Sequence, residues 1–192
     1  MPYAAWAALF ALAPISLAST THTYTIHPMV EKVDCTEGAG SAVRIGRTLF
    51  ASVSHVTSLA GCTVRGLPIT ILHDNSRDDF SVFTVPLPSE RWMQIDCGGY
   101  VEGRWYLGVG HAGARNWQTA MPLVGTGSRV SIREGGKPMA ILYGDKFIPG
   151  MSGGMTIDLR TQRLVGVVNA FSPIFPMSFS REMRDTILCP KV

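Results

Sequence analysis

A serine set among glycines is the first residue whose surroundings suggest chemistry. In "FIPGMSGGMTID", residues 147–158, Gly150 stands two positions before Ser152, and Gly153 and Gly154 follow it. A serine hydroxyl is a poor nucleophile near neutral pH, so it needs a base to take its proton and an acid to orient that base. Five histidines could be the base: His22, His27, His55, His73 and His111. His55 ends the apolar run "TLFASVSHV", where a strand would give way to a short turn. Candidate acids sit in "HDNSRDDFSVFTV": Asp74, Asp78 and Asp79, the last directly before an apolar run. An imidazole that offers one nitrogen to Ser152 and rests its other N–H on a carboxylate has a fixed tautomer and a stabilised protonated form. Lys146 lies close to Ser152, but in a non-helical stretch unsuited to a Ser-Lys pair. His111, at the end of "LGVGHAG", reads as a structural histidine.

Such side chains must be held by a fold, and the patterning is that of strands. Short apolar runs alternate with glycine, proline and Asx turns: "GSAVRIG" and "TLFASVSHV" form a hairpin about Gly46-Arg47, and "LPITILHD" and "DDFSVFTVP" follow. A proline-rich connector, "PLPSERWMQIDCGGYVEG", leads to "RWYLGVG", "MPLVGTG", "SRVSIRE", "MAILYGD" and "MTIDLRTQRLVGVVNAF". Only "SREMRDTILC" reads as a short terminal helix. The spacing predicts an all-β protein of antiparallel sandwich or barrel type in two groups of strands, with a cleft between them. The first group occupies about residues 22–90 and the second about 100–180.

Bulk composition agrees with one compact unit. Of 192 residues, 46% are hydrophobic and 16% charged, which excludes a disordered chain. The formal net charge is +3 with Lys and Arg scattered, so no basic stripe suited to nucleic acid is present. The four cysteines, Cys35, Cys62, Cys97 and Cys189, form no CxxC pair, which argues against structural zinc, and no metal or organic cofactor is expected. They permit disulfides in an exported protein; Cys35 with Cys62, flanking His55, is the pairing expected first, among three possible connectivities. Residues 1–18, "MPYAAWAALFALAPISLA", read as a signal peptide cleaved after Ala18, although no Lys or Arg precedes the apolar run. That reading places the protein outside the cell or in a periplasm; the other is an uncleaved apolar arm or short membrane anchor.

The motifs together resemble those of a known family. "GSAVRIGRTLFASVSHV" is similar to the "GSG-strand-turn-strand-AHV" signature of chymotrypsin-like serine proteases, in the trypsin-like branch that includes bacterial HtrA-type enzymes. "SRDDFSVFTV" resembles the family's "DxDLAVLKV", with Asp79 in the acid's place, and "PGMSGGM" resembles "GNSGGP", with Ser152 as nucleophile. "GRWYLGVGHAG" and "RTQRLVGVVNAF" resemble strands that open the second barrel and follow the nucleophile. The resemblance spans about residues 36–172. It implies two six-stranded antiparallel β-barrels with the active site between them, and a serine endopeptidase using His55, Asp79 and Ser152 through an acyl-enzyme. Backbone amides of Gly150 and Ser152 would form the oxyanion hole.

The resemblance also places the substrate pocket, with Lys146 at its base and Asn169, Ala170 and Phe171 along one wall. Phe171 would narrow the entrance and favour a small or medium apolar P1 residue, whereas Lys146 would favour an acidic one. The sequence departs from the family at Met151, where Asp or Asn is usual, so an ion-pair switch of the zymogen type is not expected. Two other functions fit the same fold: a catalytically silent binding module, and an esterase using the same three residues. The expected partner is a polypeptide substrate. Nucleic acid is not expected, and membrane contact only through an uncleaved N-terminus.

Overall fold

The computed structural model describes residues 28–131 and 135–189. The signal-peptide reading, His22 and His27 therefore lie outside the described residues. Seven strands come first: β1 (Val30–Cys35), β2 (Gly38–Arg44), β3 (Leu49–Ser52), β4 (Thr63–Val64), β5 (Leu67–Pro68), β6 (Thr70–Asn75) and β7 (Phe80–Thr84). A single helical turn, α1 (Ser54–Thr57), leaves the end of β3. These strands pair antiparallel in the order β5-β4-β1-β2-β3-β7-β6. Six more follow: β8 (Trp105–Gly110), β9 (Thr119–Val130), β10 (Met139–Gly144), β11 (Met155–Asp158), β12 (Leu164–Phe171) and β13 (Met177–Glu182). They close a barrel in the order β10-β13-β12-β11-β8-β9.

The two-barrel layout is as expected, and the second barrel has its six strands. The first unit differs in detail: it is a curled sheet of seven strands left open between β5 and β6, not a closed barrel of six. Two of its strands, β4 and β5, are only two residues long, too short to complete a closing ladder. The expected terminal helix is also replaced. Residues up to Glu182 belong to β13, and only Met183–Asp185 form a 3₁₀ turn. Met183 is fully buried, and the Thr186 amide and hydroxyl both donate to its carbonyl, which stops the turn there.

Strands β2, β3 and β7 are buried along most of their length, on both faces. Val33, Val43, Phe50, Ala51, Val82 and Phe83 all belong to the first core, where the Phe50 and Phe83 rings stack at 5.5 Å. That core continues without a break into Val109, Met155, Ile157, Leu164 and Val167 of the second barrel. A second cluster, Tyr106, Leu123, Leu142, Phe147, Met151, Val165 and Val168, fills the interior of the barrel itself. The connector between β7 and β8 is tied to both units: Met93 N–H donates to Arg44 at 2.9 Å, and Ile95 bridges Leu164 in parallel.

Cys35 pairs with Cys62, as expected, and Cys97 with Cys189. The first bridge ties β1 to the loop behind α1; the second fastens the connector to the segment after β13. Closing a loop of 92 residues removes more unfolded-state entropy than closing one of 27. Replacing Cys97 and Cys189 by alanine is therefore expected to lower unfolding free energy by about 2–5 kcal/mol. Denaturant titration measures it, and an unchanged midpoint would contradict the assignment.

Candidate active site

His55 sits in α1, the turn that forms where β3 runs out. Val53 is still extended (φ −103°, ψ 146°), and Val53 and Val56 are buried while the His55 side chain remains 40% exposed. The chain thus anchors both sides of the turn in the core and leaves the imidazole at the surface of a cleft. Its Nδ1 lies 2.8 Å from Asp79 Oδ2, and its backbone N–H donates to Asp79 Oδ1 at 2.9 Å. One carboxylate therefore holds the same histidine by ring and by backbone. With Nδ1–H directed at Asp79, Nε2 is left as the basic nitrogen.

Asp79 is almost fully buried, with 1% of its side chain exposed, and stands immediately before β7. Its φ of +52° lies in the left-handed region, which Asp enters more readily than most residues. A third donor, Asn169 Nδ2, reaches Oδ2 at 2.9 Å. Burial alone would raise the carboxyl's pKa. The side-chain hydrogen bond and charge of His55, its backbone N–H and the Asn169 amide outweigh burial and hold the group below its ordinary value. The competing aspartates have other work. Asp78 accepts from Asn75 and from the Lys137 amide, and Asp74 is exposed on β6.

Ser152 follows a loop pinned from beneath. Gly150 (φ +92°) and Gly153 (φ +85°) both adopt backbone conformations that favour glycine. Between them Met151 is fully buried in the second barrel, and its sulfur accepts the Ile148 N–H at 3.5 Å. Met151 thus anchors the loop by apolar burial. Gly153 N–H donates to Val168 at 2.8 Å, and the Ser152 carbonyl accepts the Ser41 N–H at 2.8 Å. Among the described residues, no protein acceptor takes the amides of Gly150 or Ser152. The Ser152 hydroxyl donates to the Asn169 carbonyl at 3.2 Å.

His55, Asp79 and Ser152 line one cleft of about 430 Å³, together with Phe147, Ile148 and Phe171. The structure brings Asn169, Ala170 and Phe171 to this cleft, and leaves Lys146 out of its lining. Lys146 is half-buried, and its Nζ donates to the Pro173 carbonyl at 3.2 Å. The floor is apolar because Phe147 turns inward beneath β8, its ring filling the space that a side chain at Gly108 would need. Asn169 reaches the cleft differently from a plain wall residue. The β12–β13 register shifts between Val168 and Ala170, and the buried Asn169 amide is the group that meets Asp79. His111 is buried elsewhere, its Nδ1 3.0 Å from the Arg115 carbonyl, and desolvation holds its pKa below the ordinary value. Sequence reasoning missed one contributor, Ser41. The "GSA" of β2 was visible, but not that its serine would touch the loop before Ser152. Among the described residues, no cluster of three or more His, Cys, Asp or Glu could hold a metal ion.

No protein-family model matches the chain, and no curated protein matches it. Solved structures do. The active form of the Rv3671c protease of M. tuberculosis is 19% identical over 82% of this chain and 77% of its own, with a TM-score of 0.70. The HtrA-type protease AlgW, solved with a tripeptide, is 19% identical over 82% of this chain and 57% of its own, at a TM-score of 0.71. A serine endoprotease from Yersinia pestis is 17% identical over 81% of this chain and 58% of its own, at 0.63. The closed six-stranded barrel, the curled sheet beside it and these likenesses together show that the chain has the chymotrypsin-like fold.

Proposed function

We propose that the protein is a serine endopeptidase in which His55, Asp79 and Ser152 form the catalytic triad. The observation that carries this reading is the two-point hold of the buried Asp79 on His55, in a cleft that also exposes Ser152. In the proposed cycle the Ser152 hydroxyl leaves the Asn169 carbonyl for His55 Nε2. Nε2 takes the proton as Oγ attacks the scissile carbonyl, and Asp79 stabilises the imidazolium. The amides of Gly150 and Ser152 receive the oxyanion, the imidazolium protonates the leaving amine, and water then releases the acyl-enzyme by the same steps.

One observation favours a second reading. The hydroxyl's hydrogen bond to Asn169 is the arrangement of a resting or silent site, which a binding module could keep permanently. Turnover separates the readings: the wild-type protein should cleave peptides from a random library and Ser152→Ala should not. Hydrolysis of activated esters without peptide cleavage would favour the esterase.

The apolar floor supports a preference for small or medium apolar P1 residues. Phe147, Ile148, Ala170 and Phe171 surround the space beside Ser152, and Lys146 does not reach it. Library profiling should show alanine, valine or a similar residue at P1. A dominant preference for Asp or Glu would restore Lys146 to the pocket, and one for Lys or Arg would contradict both. Export is part of the same proposal. Both bridges pair all four cysteines, as an oxidising compartment allows. Among the described residues no helix is long and apolar enough to cross a membrane.

A further inference from the structure

We infer that Ser41 is a positioning residue for the oxyanion loop, holding the Gly150 and Ser152 carbonyls so that their amides stay available to a substrate oxygen. The inference rests on the acyl-transfer reading proposed above. Ser41 lies in β2, on the opposite barrel from the loop it touches, and has no exposed surface. Its N–H donates to the Ser152 carbonyl at 2.8 Å, and its hydroxyl donates to the Gly150 carbonyl at 2.8 Å. The same hydroxyl accepts the His111 N–H at 2.8 Å, and the Ser41 carbonyl accepts the Ser52 hydroxyl at 2.7 Å.

The direction of these bonds is fixed by chemistry. A backbone N–H can only donate and a backbone carbonyl can only accept, so the one hydroxyl proton of Ser41 must go to Gly150. The hydroxyl therefore ties the end of β8 to the loop before Ser152 through a single oxygen. Peptide units are planar, so holding the Gly150 oxygen fixes the plane that links Gly150 to Met151. Holding the Ser152 oxygen fixes the plane that links Ser152 to Gly153. Met151, buried between them, prevents the loop from rotating as a unit. The two donor N–H groups lie in neighbouring planes, that of Ser152 in Met151–Ser152, between the two held planes, and that of Gly150 in Pro149–Gly150, hinged on the first, so turning either donor away strains a bond to Ser41. A zymogen-type switch would use an ion pair for this purpose; here a serine from the other barrel does it.

The test separates positioning from mere stability. A peptide boronic acid forms a tetrahedral adduct on Ser152 and uses the oxyanion donors, whereas the matching peptide amide binds without them. In Ser41→Ala the boronate affinity should fall about 10- to 100-fold, short of the about 10²- to 10³-fold that outright loss of a donor costs. Affinity for the peptide amide should stay within about twofold of wild type, since the amide makes no use of the hole. Equal losses for both ligands, or no loss for either, overturn the inference. Should the alanine variant fail to fold, Ser41→Cys keeps the size with a weaker donor and must show the same selective loss, about tenfold; undiminished boronate binding there overturns the inference. A wild-type protein that forms no boronate adduct overturns the acyl-transfer reading itself, and the inference with it.

Discussion

Asp79→Asn should keep its fold and lose about four orders of magnitude in kcat for peptide cleavage at neutral pH, as removal of the acid does in such triads. Both present roles of the carboxylate depend on its charge. Oδ2 accepts from the imidazole Nδ1 and from Asn169 Nδ2, while Oδ1 accepts the His55 N–H. An amide offers one acceptor oxygen and one NH₂. It cannot satisfy all three donors, and an NH₂ turned toward Nδ1 favours the tautomer with its proton on Nε2, the wrong one for a base. The same charge has a pH signature. Because the folded-state pKa of Asp79 is depressed, its contribution to stability is complete above the ordinary value of 3.8 and fades as pH falls through the lower folded value. The stability difference between wild type and Asp79→Asn should therefore shrink on acidification below about pH 4. Stopped-flow or plate kinetics give the first effect and denaturant midpoints across pH the second. A variant with undiminished kcat, or a difference that grows in acid, would contradict the assignment of Asp79.

Gly153→Ala is expected to be nearly as damaging, and by way of the backbone. A methyl group there would run into the Ser52 hydroxyl oxygen and the Ser41 carbonyl oxygen, and the φ of +85° disfavours any L side chain. Ser41 cannot retreat, since its N–H, hydroxyl and carbonyl are each engaged. Left-handed strain of about 1–2 kcal/mol and overpacking of about 1–3 kcal/mol add to a destabilisation of about 2–5 kcal/mol. Activity should fall with it, because the displaced loop carries Ser152. Thermal unfolding of the purified variant decides the matter: a melting temperature within a degree of wild type would mean that the loop does not lie against β2 as described.

The sequence carried more of the site than of its surroundings, for identifiable physical reasons. The hairpin about Gly46-Arg47 and the run before His55 were legible because short apolar runs and turn residues are local signals. The motifs around His55, Asp79 and Ser152 stood out through their resemblance to chymotrypsin-like serine proteases, and the structure brings the three residues to one cleft. The open first sheet was not legible, because whether β5 meets β6 depends on curvature and on strands two residues long. Lys146 was placed at the pocket base by counting back from Ser152. Counting does not reveal that Phe147 would take the floor by packing under Gly108. Asn169 shows the same limit at a finer scale. Its position beside the cleft was implied by the family resemblance, but its bond to Asp79 is a contact across 90 residues, next to a register shift between β12 and β13. Ser41 was invisible for the related reason that a buried serine in a strand looks like any other small polar residue until the opposite barrel is seen against it.

The central claim is that Ser152 is a nucleophile activated by His55 and Asp79, and covalent labelling tests it most directly. Incubation of the intact protein with a fluorophosphonate should add one phosphonyl group, located on Ser152 by peptide mass analysis. Ser152→Ala should remain unmodified, and Asp79→Asn should react far more slowly. A folded wild-type protein that takes up no label, or takes it up equally well without Ser152, would contradict the account.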